Sequence, residues 1–356
     1  MSRRRLALVF GGRSPEHDVS LVSARAIHDQ LDRDHFELLL VGVDRQGRPR
    51  LGGRELLAGG LDRGEGIRVR WPASPTDRAL REEATGRLVS APLDVVFPII
   101  HGAGGEDGAL QGMLQLCDIP CVGAGVLGSA LAMDKDRTRR MLAAEGIPVV
   151  EDIVLHARAR RENPDAAGWR ARVHSLGYPV FVKPARTGSS VGITKVTAAE
   201  QLDEALEIAE RFDEKIVIER AVPAAREIEI SVLGLDRPEV SVPGEIVPAA
   251  EFYDYRAKYE DPESKLLIPA PIDEALVGRI GEWAKRAFVA LDLAGMARVD
   301  FLLSRESGET VLNEVNTLPG FTPISMYPKL WQASGLTYPR LLDRLVELAF
   351  EAARPS

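Results

Sequence analysis

Two pairs of polar residues near the C-terminal end of the chain have a spacing that could hold a metal ion. Arg298 and Asp300 are two residues apart in one apolar run, and Glu314 and Asn316 are two apart in the next. Side chains alternate between the faces of a strand, so each pair shares a face. The turn-forming residues 304–309 predict an antiparallel hairpin. If both pairs lie on one face, two carboxylates, an amide and a guanidinium form one patch.

This patch has the chemistry of a magnesium site. Oxygen ligands without His or Cys favour Mg²⁺ over Zn²⁺, and magnesium held by a few carboxylates usually completes its shell with substrate phosphates. A nearby arginine can stabilise charge that moves between phosphoryl and acyl groups. The alternative is an ordinary hairpin with one solvated face. Two features argue against it: the neighbouring residues are apolar, and Gly320 lets the backbone after the second strand approach a ligand closely.

Composition limits the classes of protein to be considered. The 356 residues suffice for two or three domains with a large core. The formal net charge of −8 argues against a general nucleic-acid or acidic-membrane binder. No apolar run approaches the ~20 residues that span a bilayer, so we expect no membrane segment and a cytoplasmic location. The two cysteines, Cys117 and Cys121, indicate core packing rather than a disulfide or a metal site.

The N-terminal region has the pattern of a parallel α/β layer. Apolar strands are predicted at 6–10, 36–43 and 94–100, and the Ser-Pro pair at 14–15 predicts a helix start after a glycine turn. The third residue of that turn is Arg13, so the GxGxxG pattern of a Rossmann dehydrogenase is absent.

Two further features of this region are less specific. Residues 45–91 are rich in Gly, Arg and Pro, and we expect a surface insertion with a small β element at 67–71. His101 follows the third predicted strand, where ligands collect in parallel sheets, although a capping or core histidine is the alternative. A short strand is predicted at 119–122.

A small loop with a lysine at its entry is a second candidate site. A strand at 180–182 leads to Lys183, and the Gly- and Ser-rich segment 185–192 follows. The N–H groups and hydroxyls of such a loop can donate to phosphates while the lysine supplies charge. The loop lacks the Walker A pattern, and an ordinary flexible hairpin loop is the alternative. Thr197 and Glu200 then predict a capping box for the next helix.

The segment 251–265 is polar, aromatic and acidic by turns and has no helical or strand period. A loop of ~15 residues in a compact domain is more often functional or disordered than incidental. Its Tyr, Arg and Lys residues favour a lid over an anionic substrate, and disorder is the alternative.

The motifs occur together in the order of one enzyme family. Eight stretches carry the similarity: GGRSPEHDVSL (11–21), HGAGGEDGALQGMLQ (101–115), AMDKDRTRRML (132–142), FVKPARTGSSVGI (181–193), REIEISVLG (226–234), FYDYRAKY (252–259), RVDF (298–301) and NEVNTLPGFTPISMYP (313–328). The chain resembles the D-alanine–D-alanine ligases, ATP-grasp enzymes of peptidoglycan precursor synthesis. The resemblance covers nearly the whole chain except 45–91.

This resemblance implies an α/β chain with an ATP-grasp fold and an N-terminal parallel α/β domain of the pre-ATP-grasp, Rossmann-like type. It implies a substrate-binding domain at 1–128, a central ATP-grasp subdomain at 129–222, and a C-terminal subdomain with the metal site and lid at 223–356. In the implied reaction, ATP phosphorylates the carboxylate of one D-alanine, and the amine of a second D-alanine attacks the acyl phosphate. The implied partners are ATP, D-alanine, two Mg²⁺ or Mn²⁺ ions and a second copy of the chain in a homodimer. K⁺ activates some relatives, and the sequence leaves this open.

The resemblance also implies site residues by their match to the family's motifs. The implied ATP contacts are Lys135, Phe181, Lys183, Ser189, Ser190, Glu219, Val222, Glu227, Lys258 and Phe301. The implied D-alanine contacts are Glu16, His101, Arg298, Gly320, Ser325 and Met326. The implied catalytic groups are Glu16, Ser190, Tyr259, Arg298 and Gly320. The implied metal ligands are Asp300, Glu314 and Asn316.

Within the nucleotide set, the lysines would hold phosphates. Glu219 and the Val222 backbone would meet the adenine, and Glu227 would meet the ribose. Without the resemblance, both glutamates would be interpreted as surface charges at strand ends.

Within the substrate set, Glu16 would hold the ammonium of the first D-alanine, with His101 beside its carboxylate. Ser190 and Tyr259 would join Glu16 in a hydrogen-bonded set that closes the loop. Without the resemblance, Glu16 would be a first-turn glutamate favoured by the helix dipole. Tyr259 is missing from relatives that make D-alanyl-D-lactate, so its presence favours an amine nucleophile.

Two further roles follow from the same motifs. Arg298 and the Gly320 N–H would stabilise the tetrahedral intermediate of acyl transfer, and Ser325 and Met326 would bind the second carboxylate. The alternatives are a D-alanine–D-lactate ligase, another ATP-grasp carboxylate–amine ligase, and a non-catalytic nucleotide-binding regulator.

Overall fold

The computed structural model describes residues 3–163, 168–247 and 265–353. Its elements form three sheets with helices packed against them, which confirms the α/β class. The first sheet has the order β5-β4-β3-β2-β1-β6, and its strands are β1 (Arg4–Gly11), β2 (Phe36–Val43), β3 (Pro49–Gly52), β4 (Ile67–Arg70), β5 (Arg81–Glu82) and β6 (Val95–Pro98). β1 pairs in parallel with both β2 and β6, as the strand–turn–helix–strand pattern predicts.

Four helices accompany this sheet and lead out of it: α1 (His17–Gln30), α2 (Ala109–Gln115), α3 (Val126–Met133) and α4 (Lys135–Ala144). The expected start of α1 is wrong by two residues. Glu16 occupies the N-cap position, and Ser14 instead donates its hydroxyl to the His101 carbonyl at 2.7 Å. The strand predicted at 119–122 is reduced to one bridge between Val96 and Cys121.

The insertion 45–91 is part of the first sheet, so the expectation of a surface excursion is wrong. It supplies β3, β4 and β5, which extend the sheet edge by antiparallel pairing. A 3₁₀ helix at Arg54–Ala58 turns Leu56 and Leu57 into the core, where Leu61 joins them, each 1% exposed or less. Burying these side chains stabilises the segment because each removes apolar surface from water.

The second sheet has four antiparallel strands in the order β7-β10-β8-β9: β7 (Asp152–His156), β8 (Val180–Pro184), β9 (Thr194–Val196) and β10 (Lys215–Arg220). One face packs on α5 (Ala157–Glu162), α6 (Trp169–Leu176) and α7 (Leu202–Glu210) in an apolar core. The predicted capping box is wrong. A 3₁₀ turn at Ala199–Gln201 precedes α7, and Gln201 accepts the Thr197 N–H at 2.8 Å.

The third sheet has the order β14-β13-β11-β15-β16, with β12 beside β11. Its strands are β11 (Ala225–Gly234), β12 (Glu239–Val240), β13 (Gly244–Val247), β14 (Lys265–Leu267), β15 (Gly295–Ser304) and β16 (Thr310–Asn316). Helix α8 (Glu274–Ala290) lies between β14 and β15 in the chain, and α9 (Met326–Ala333) and α10 (Tyr338–Ala352) follow β16. The predicted hairpin is confirmed: β15 and β16 pair antiparallel, with Arg298 opposite Asn316 and Asp300 opposite Glu314.

Aromatic packing joins the first sheet to the end of the third. Phe321, just after the hairpin, is fully buried, and the Phe97 ring of β6 meets its ring edge-on at 5.9 Å between centroids. Tyr327 and Tyr338 donate hydroxyls to the carbonyls of Val232 and Phe321 at 3.0 and 2.8 Å. These contacts hold the segment after β16 against the carboxyl end of β6 and against β11. In the described ranges, no helix has the length and apolar character needed to cross a bilayer.

Candidate functional site

A cleft between the three sheets encloses about 1140 Å³ of empty space, part of it open to solvent. Its walls come from both ends of the sequence, because the packing of Phe321 and its neighbours brings them together. The predicted site residues that line it are Glu16, Lys135, Ser189, Arg298, Glu314, Asn316, Gly320, Ser325 and Met326. Lys258 and Tyr259 lie outside the described residues.

A row of three carboxylates crosses the third sheet at the cleft. Glu229 on β11, Asp300 on β15 and Glu314 on β16 stand directly opposite one another in the strand register. Directly opposite side chains have Cβ atoms about 4.5–5.5 Å apart. Glu229 is 5% exposed and was missed by the sequence analysis. Its alternation with Glu227 was visible in the sequence, but the register that sets it beside Asp300 was not.

Arg298 neutralises part of this row. Its Nε and Nη2 donate to the two oxygens of Asp300 at 2.8 and 2.7 Å, and its Nε lies 3.1 Å from Glu229. Burial would lower the pKa of Arg298, but Asp300 and Glu229 outweigh it and raise that pKa well above its usual range. The guanidinium therefore stays charged in the cleft.

The hairpin residues fit a divalent metal by the chemistry of their donors. Asp300 and Glu314 offer carboxylates and Asn316 an amide oxygen from one face, the set that Mg²⁺ prefers. Asp300 is chelated by Arg298, so a metal ion must share that carboxylate with the guanidinium. The Asn316 oxygen accepts the Leu318 N–H at 3.1 Å, which orients the amide.

Across the cleft, the loop 185–192 is tied to the start of α4. Lys135 donates its backbone N–H to the Ala185 carbonyl at 3.0 Å and its Nζ to the Thr187 carbonyl at 2.7 Å. Burial lowers the pKa of Lys135, against the attraction of Glu314. Ser189 and Ser190 have positive φ angles of 49° and 59°, a conformation that non-glycine residues adopt at a cost and that clusters at functional sites.

The entry of this loop is anchored by Asp213. Its Oδ2 accepts the Arg186 backbone N–H at 2.9 Å and the Arg186 Nε at 3.0 Å, and its Oδ1 accepts the Lys215 N–H at 3.0 Å. Lys215 in turn donates to Asp134, the N-cap of α4, at 2.6 Å. The start of β10 thus fixes both the loop 185–192 and α4, the helix that presents Lys135.

Glu219 lies on the face of the second sheet opposite its apolar core. It is 2% exposed, so the alternative of a surface charge is wrong. Lys183 and Arg139 hold its two oxygens. Burial would raise the pKa of Glu219, but these two cations outweigh it and lower that pKa. Lys183 also lies over the Phe181 ring, 5.5 Å from its centroid.

The remaining predicted nucleotide residues that the structure describes do not line the cleft. Val222 is buried after β10, and Glu227 is half-buried on β11. Phe301 lies on the opposite face of β15 from Asp300, 1% exposed, within the core that contains Trp283. Phe301 does not line the cleft, and its contact with ATP stays a prediction. The alternation of strand faces carried the signal for this placement of Phe301.

Four polar groups gather where α1 begins. Glu16 is 8% exposed and accepts a hydrogen bond from the hydroxyl of Ser189, and the link predicted between Glu16 and Ser190 stays a prediction. His101 donates from Nδ1 to the Leu318 carbonyl at 3.0 Å. Burial lowers the pKa of His101, and the charge of Glu16 opposes this. The His101 Nε2 is buried and has no hydrogen-bond partner within 3–163, 168–247 and 265–353.

Glu106 is a further carboxyl in this group that was missed. It lines the cleft with Glu16 and accepts the Gly102 N–H at 2.5 Å. Burial first, and the charge of Glu16 second, raise the pKa of Glu106 to about 8. Its position in the GGEDG stretch was a visible signal, because polar residues after a parallel strand collect at the ligand edge.

The far end of the cleft is formed by the start of α9. Ser325 is its N-cap residue, and Met326, 4% exposed, is its first residue. The Ser325 hydroxyl accepts the Thr322 N–H at 3.0 Å. A Cβ on Gly320 would lie 2.7 Å from that hydroxyl oxygen, so any larger residue there would displace the Ser325 side chain. Free N–H groups at a helix start attract anions.

Two family models match this chain: D-ala D-ala ligase N-terminus over residues 5–124 and D-ala D-ala ligase C-terminus over residues 141–347. Together they span most of the sequence. The chain belongs to the D-Ala–D-Ala ligase family.

Members of this family resemble the chain over its full length. A D-alanine–D-alanine ligase of Thermoanaerobacter sp. (strain X514) is 48% identical, covering 99% of this chain and 98% of that protein. That of Deinococcus radiodurans is 46% identical, covering 98% and 99%. Among solved structures, the D-alanine–D-alanine ligase from Coxiella burnetii has a TM-score of 0.86 and 33% identity, covering 99% of this chain and 95% of that one. The VanG D-Ala:D-Ser ligase from Enterococcus faecalis has a TM-score of 0.87 and 36% identity, covering 98% and 100%. These matches confirm the ATP-grasp fold class.

Proposed function

We propose that this chain joins two D-alanine molecules to D-alanyl-D-alanine, using ATP and passing through D-alanyl phosphate. The observation that carries the proposal is the carboxylate row Glu229–Asp300–Glu314, which faces Lys135 and the loop 185–192 across one cleft. Membership of the D-Ala–D-Ala ligase family supports the substrate assignment. The alternative of a D-alanine–D-lactate ligase is not favoured, because the full-length relatives carry the D-alanine–D-alanine name.

The nucleotide lies between the second and third sheets in this proposal. Lys135, Lys183 and the loop with Ser189 and Ser190 bind its phosphates, and Lys258 is a further candidate. Phe181, Glu219 and the Val222 backbone meet the adenine, and Glu227 meets the ribose. Phosphoryl transfer needs positioning and charge neutralisation more than covalent help, which this set of cations and N–H donors supplies.

Asp300, Glu314 and Asn316 would hold the divalent metal that the family uses, and we propose two Mg²⁺ or Mn²⁺ ions. When bound, such ions neutralise the developing charge on the transferred phosphoryl group. Arg298, held between Asp300 and Glu229, stabilises the oxyanion that forms when the amine attacks the acyl carbonyl.

The two D-alanines lie next to each other in the cleft, so that the amine of the second can reach the carbonyl of the first. Glu16 binds the first ammonium beside His101. Ser325 and the N–H groups at the start of α9 bind the second carboxylate, with Met326 beside it, and the Gly320 N–H assists Arg298 at the tetrahedral carbon. Glu16 and Ser190, together with Tyr259, would close the loop over the acyl phosphate and exclude water.

The organisation of the chain completes the proposal. We assign the substrate-binding domain to 1–128, the central subdomain to 129–222, and the C-terminal subdomain with the lid 251–265 to 223–356. A homodimer in the cytoplasm, with K⁺ as an activator to be tested, follows from the resemblance.

The purified chain with ATP, Mg²⁺ and D-alanine tests this function. We expect phosphate release that depends on D-alanine, with D-alanyl-D-alanine as the product by mass spectrometry, and no release with L-alanine. A competition between D-alanine and D-lactate identifies the second substrate. Absence of D-alanine-dependent phosphate release would overturn the proposal. Titration with K⁺ and sedimentation of the active species test the monovalent ion and the dimer.

A further inference from the structure

A buried arginine lies behind Glu219. Arg139 is one turn after Lys135 on α4, and its side chain is 5% exposed. Its Nη1 donates to Asp152 Oδ2 at 2.8 Å, and its Nη2 donates to Glu219 Oε2. Lys183 holds the other oxygen of Glu219. These residues form a row of alternating charges, Asp152–Arg139–Glu219–Lys183, which we call the four-charge row.

The strand register builds this row into the second sheet. Glu219 on β10 stands directly opposite Asp152 on β7 and directly opposite Phe181 on β8. Arg139 reaches the row from α4, and the two carboxylates it touches lie on adjacent strands. The planar guanidinium matches such a pair, because its N–H groups point in fixed directions. A lysine at 139 would hold one carboxylate at a time.

The two cations on Glu219 differ in how firmly they are held. Arg139 is anchored on its far side by Asp152, whereas Lys183 is a single ammonium on a flexible stem that also faces the proposed phosphate site. When Lys183 turns to a phosphate, Arg139 is the cation that stays on Glu219. A carboxylate this deeply buried needs such a partner to remain charged.

We propose that Arg139 is a positioning residue for the nucleobase. It keeps Glu219 ionised and oriented to accept a hydrogen bond from the amino group of adenine, and it frees Lys183 for the phosphates. Guanine presents a carbonyl oxygen where adenine has its amino group, and the fixed carboxylate repels it. The inference rests on the proposed function, since it takes Glu219 as the adenine contact.

Arg139→Gln tests this, with Arg137→Gln as the matched control on the same helix. Arg137 is 59% exposed and its Nε lies 3.8 Å from Asp136, outside the four-charge row, so both variants lose one positive charge but only one alters the row. We expect Arg139→Gln to raise both the KM and the calorimetric Kd for ATP by about tenfold or more. The preference for ATP over GTP should fall by a similar factor, and the KM for D-alanine should stay within about twofold.

Two conservative variants separate positioning from a structural role. Arg139→Lys keeps the charge and should restore part of the ATP affinity but less of the ATP-over-GTP preference. Asp152→Asn leaves both cations on Glu219 and removes only the anchor, so it should show the same ATP-specific change in weaker form. The Asp152→Asn variant also tests the inference if Arg139→Gln does not fold.

Unchanged ATP affinity and nucleotide preference in folded Arg139→Gln would overturn the inference. So would parallel losses in the KM for ATP, the KM for D-alanine and the melting temperature, which mark a purely structural residue. The calorimetric measurement does not require turnover. If the wild-type chain binds ATP but does not ligate D-alanine, the proposed function fails while the nucleotide-binding comparison still decides the role of Arg139.

Discussion

Replacing Glu106 by glutamine should remove a pH dependence from the stability of the protein. The Glu106 carboxyl lies in the cleft with Glu16, and burial together with that neighbouring charge raises its pKa from 4.5 to about 8. Glutamine has nearly the same shape and can still accept the Gly102 N–H that Glu106 accepts at 2.5 Å. The substitution therefore removes the titration while it preserves the contact.

The sign and size of this pH dependence follow from the linkage between proton binding and folding. A carboxyl whose pKa is raised in the folded state keeps a proton that the unfolded chain releases. Its contribution to stability is complete below about pH 4 and is lost as the pH rises through about 8. One pKa unit corresponds to about 1.4 kcal/mol, so the interval from pH 5 to 8 sets an upper limit of about 4 kcal/mol. Glu106 is only half-buried, so solvent screens its charge, and part of its pKa shift comes from the charge of Glu16. We therefore expect the stability change to be about 2–3 kcal/mol.

Denaturant unfolding at pH 5, 6, 7 and 8 measures this for the wild type, Glu106→Gln and Glu347→Gln. Glu347 is 59% exposed on α10 and serves as the control. The difference in free energy of unfolding, Glu106→Gln minus wild type, should increase by about 2–3 kcal/mol between pH 5 and 8. The corresponding difference for Glu347→Gln should stay constant over the same range. Parallel curves for Glu106→Gln, or a difference that shrinks with rising pH, would refute the reasoning.

Three further substitutions test the site and the fold. Glu314→Gln should lower turnover by about 100-fold or more with an unchanged melting temperature, and unchanged turnover would remove Glu314 from the metal site. Asp213→Asn weakens the anchor of Arg186 at the loop entry and should raise the KM for ATP about three- to tenfold, with the KM for D-alanine unaffected in steady-state assays. Leu56→Ala should lower the free energy of unfolding by about 2–5 kcal/mol. Leu88→Ala, at a position of the same insertion that is 53% exposed, should change it by less than about 0.5 kcal/mol; equal effects would contradict a core role for the insertion.

The hairpin shows what short-range pattern can predict. The spacing of Arg298 and Asp300, and of Glu314 and Asn316, predicted two strands with one polar face, and the register pairs these residues directly. The five-residue connection between β15 and β16 starts this pairing, and a bulge between Asp300 and Phe301 shifts the register by one residue, so that Asp300 stands opposite Glu314. The start of α1 shows the limit of the same approach, because Ser14 is diverted from its expected capping role by the carbonyl of His101, far along the chain.

Long-range pairing decided what local pattern could not. Glu229 joins the carboxylate row only because β11 pairs with β15, some seventy positions later. The insertion 45–91 looked like a surface loop by composition, yet its leucines complete the core under the first sheet. Phe301 was expected at the nucleotide, but strand alternation turns it into the core behind Asp300.

By itself, the sequence determined the family, the α/β class, the metal-site residues as candidates and the small loop at 185–192, since each depends on residue types at short spacing. Only the tertiary structure decided which charges meet. Arg139 and Glu219, like Glu106 and Glu16, are brought together by sheet pairing and helix packing, and burial then sets their ionisation. Charge interactions depend on separation in space and on exclusion of water, and neither quantity is encoded by position along the chain.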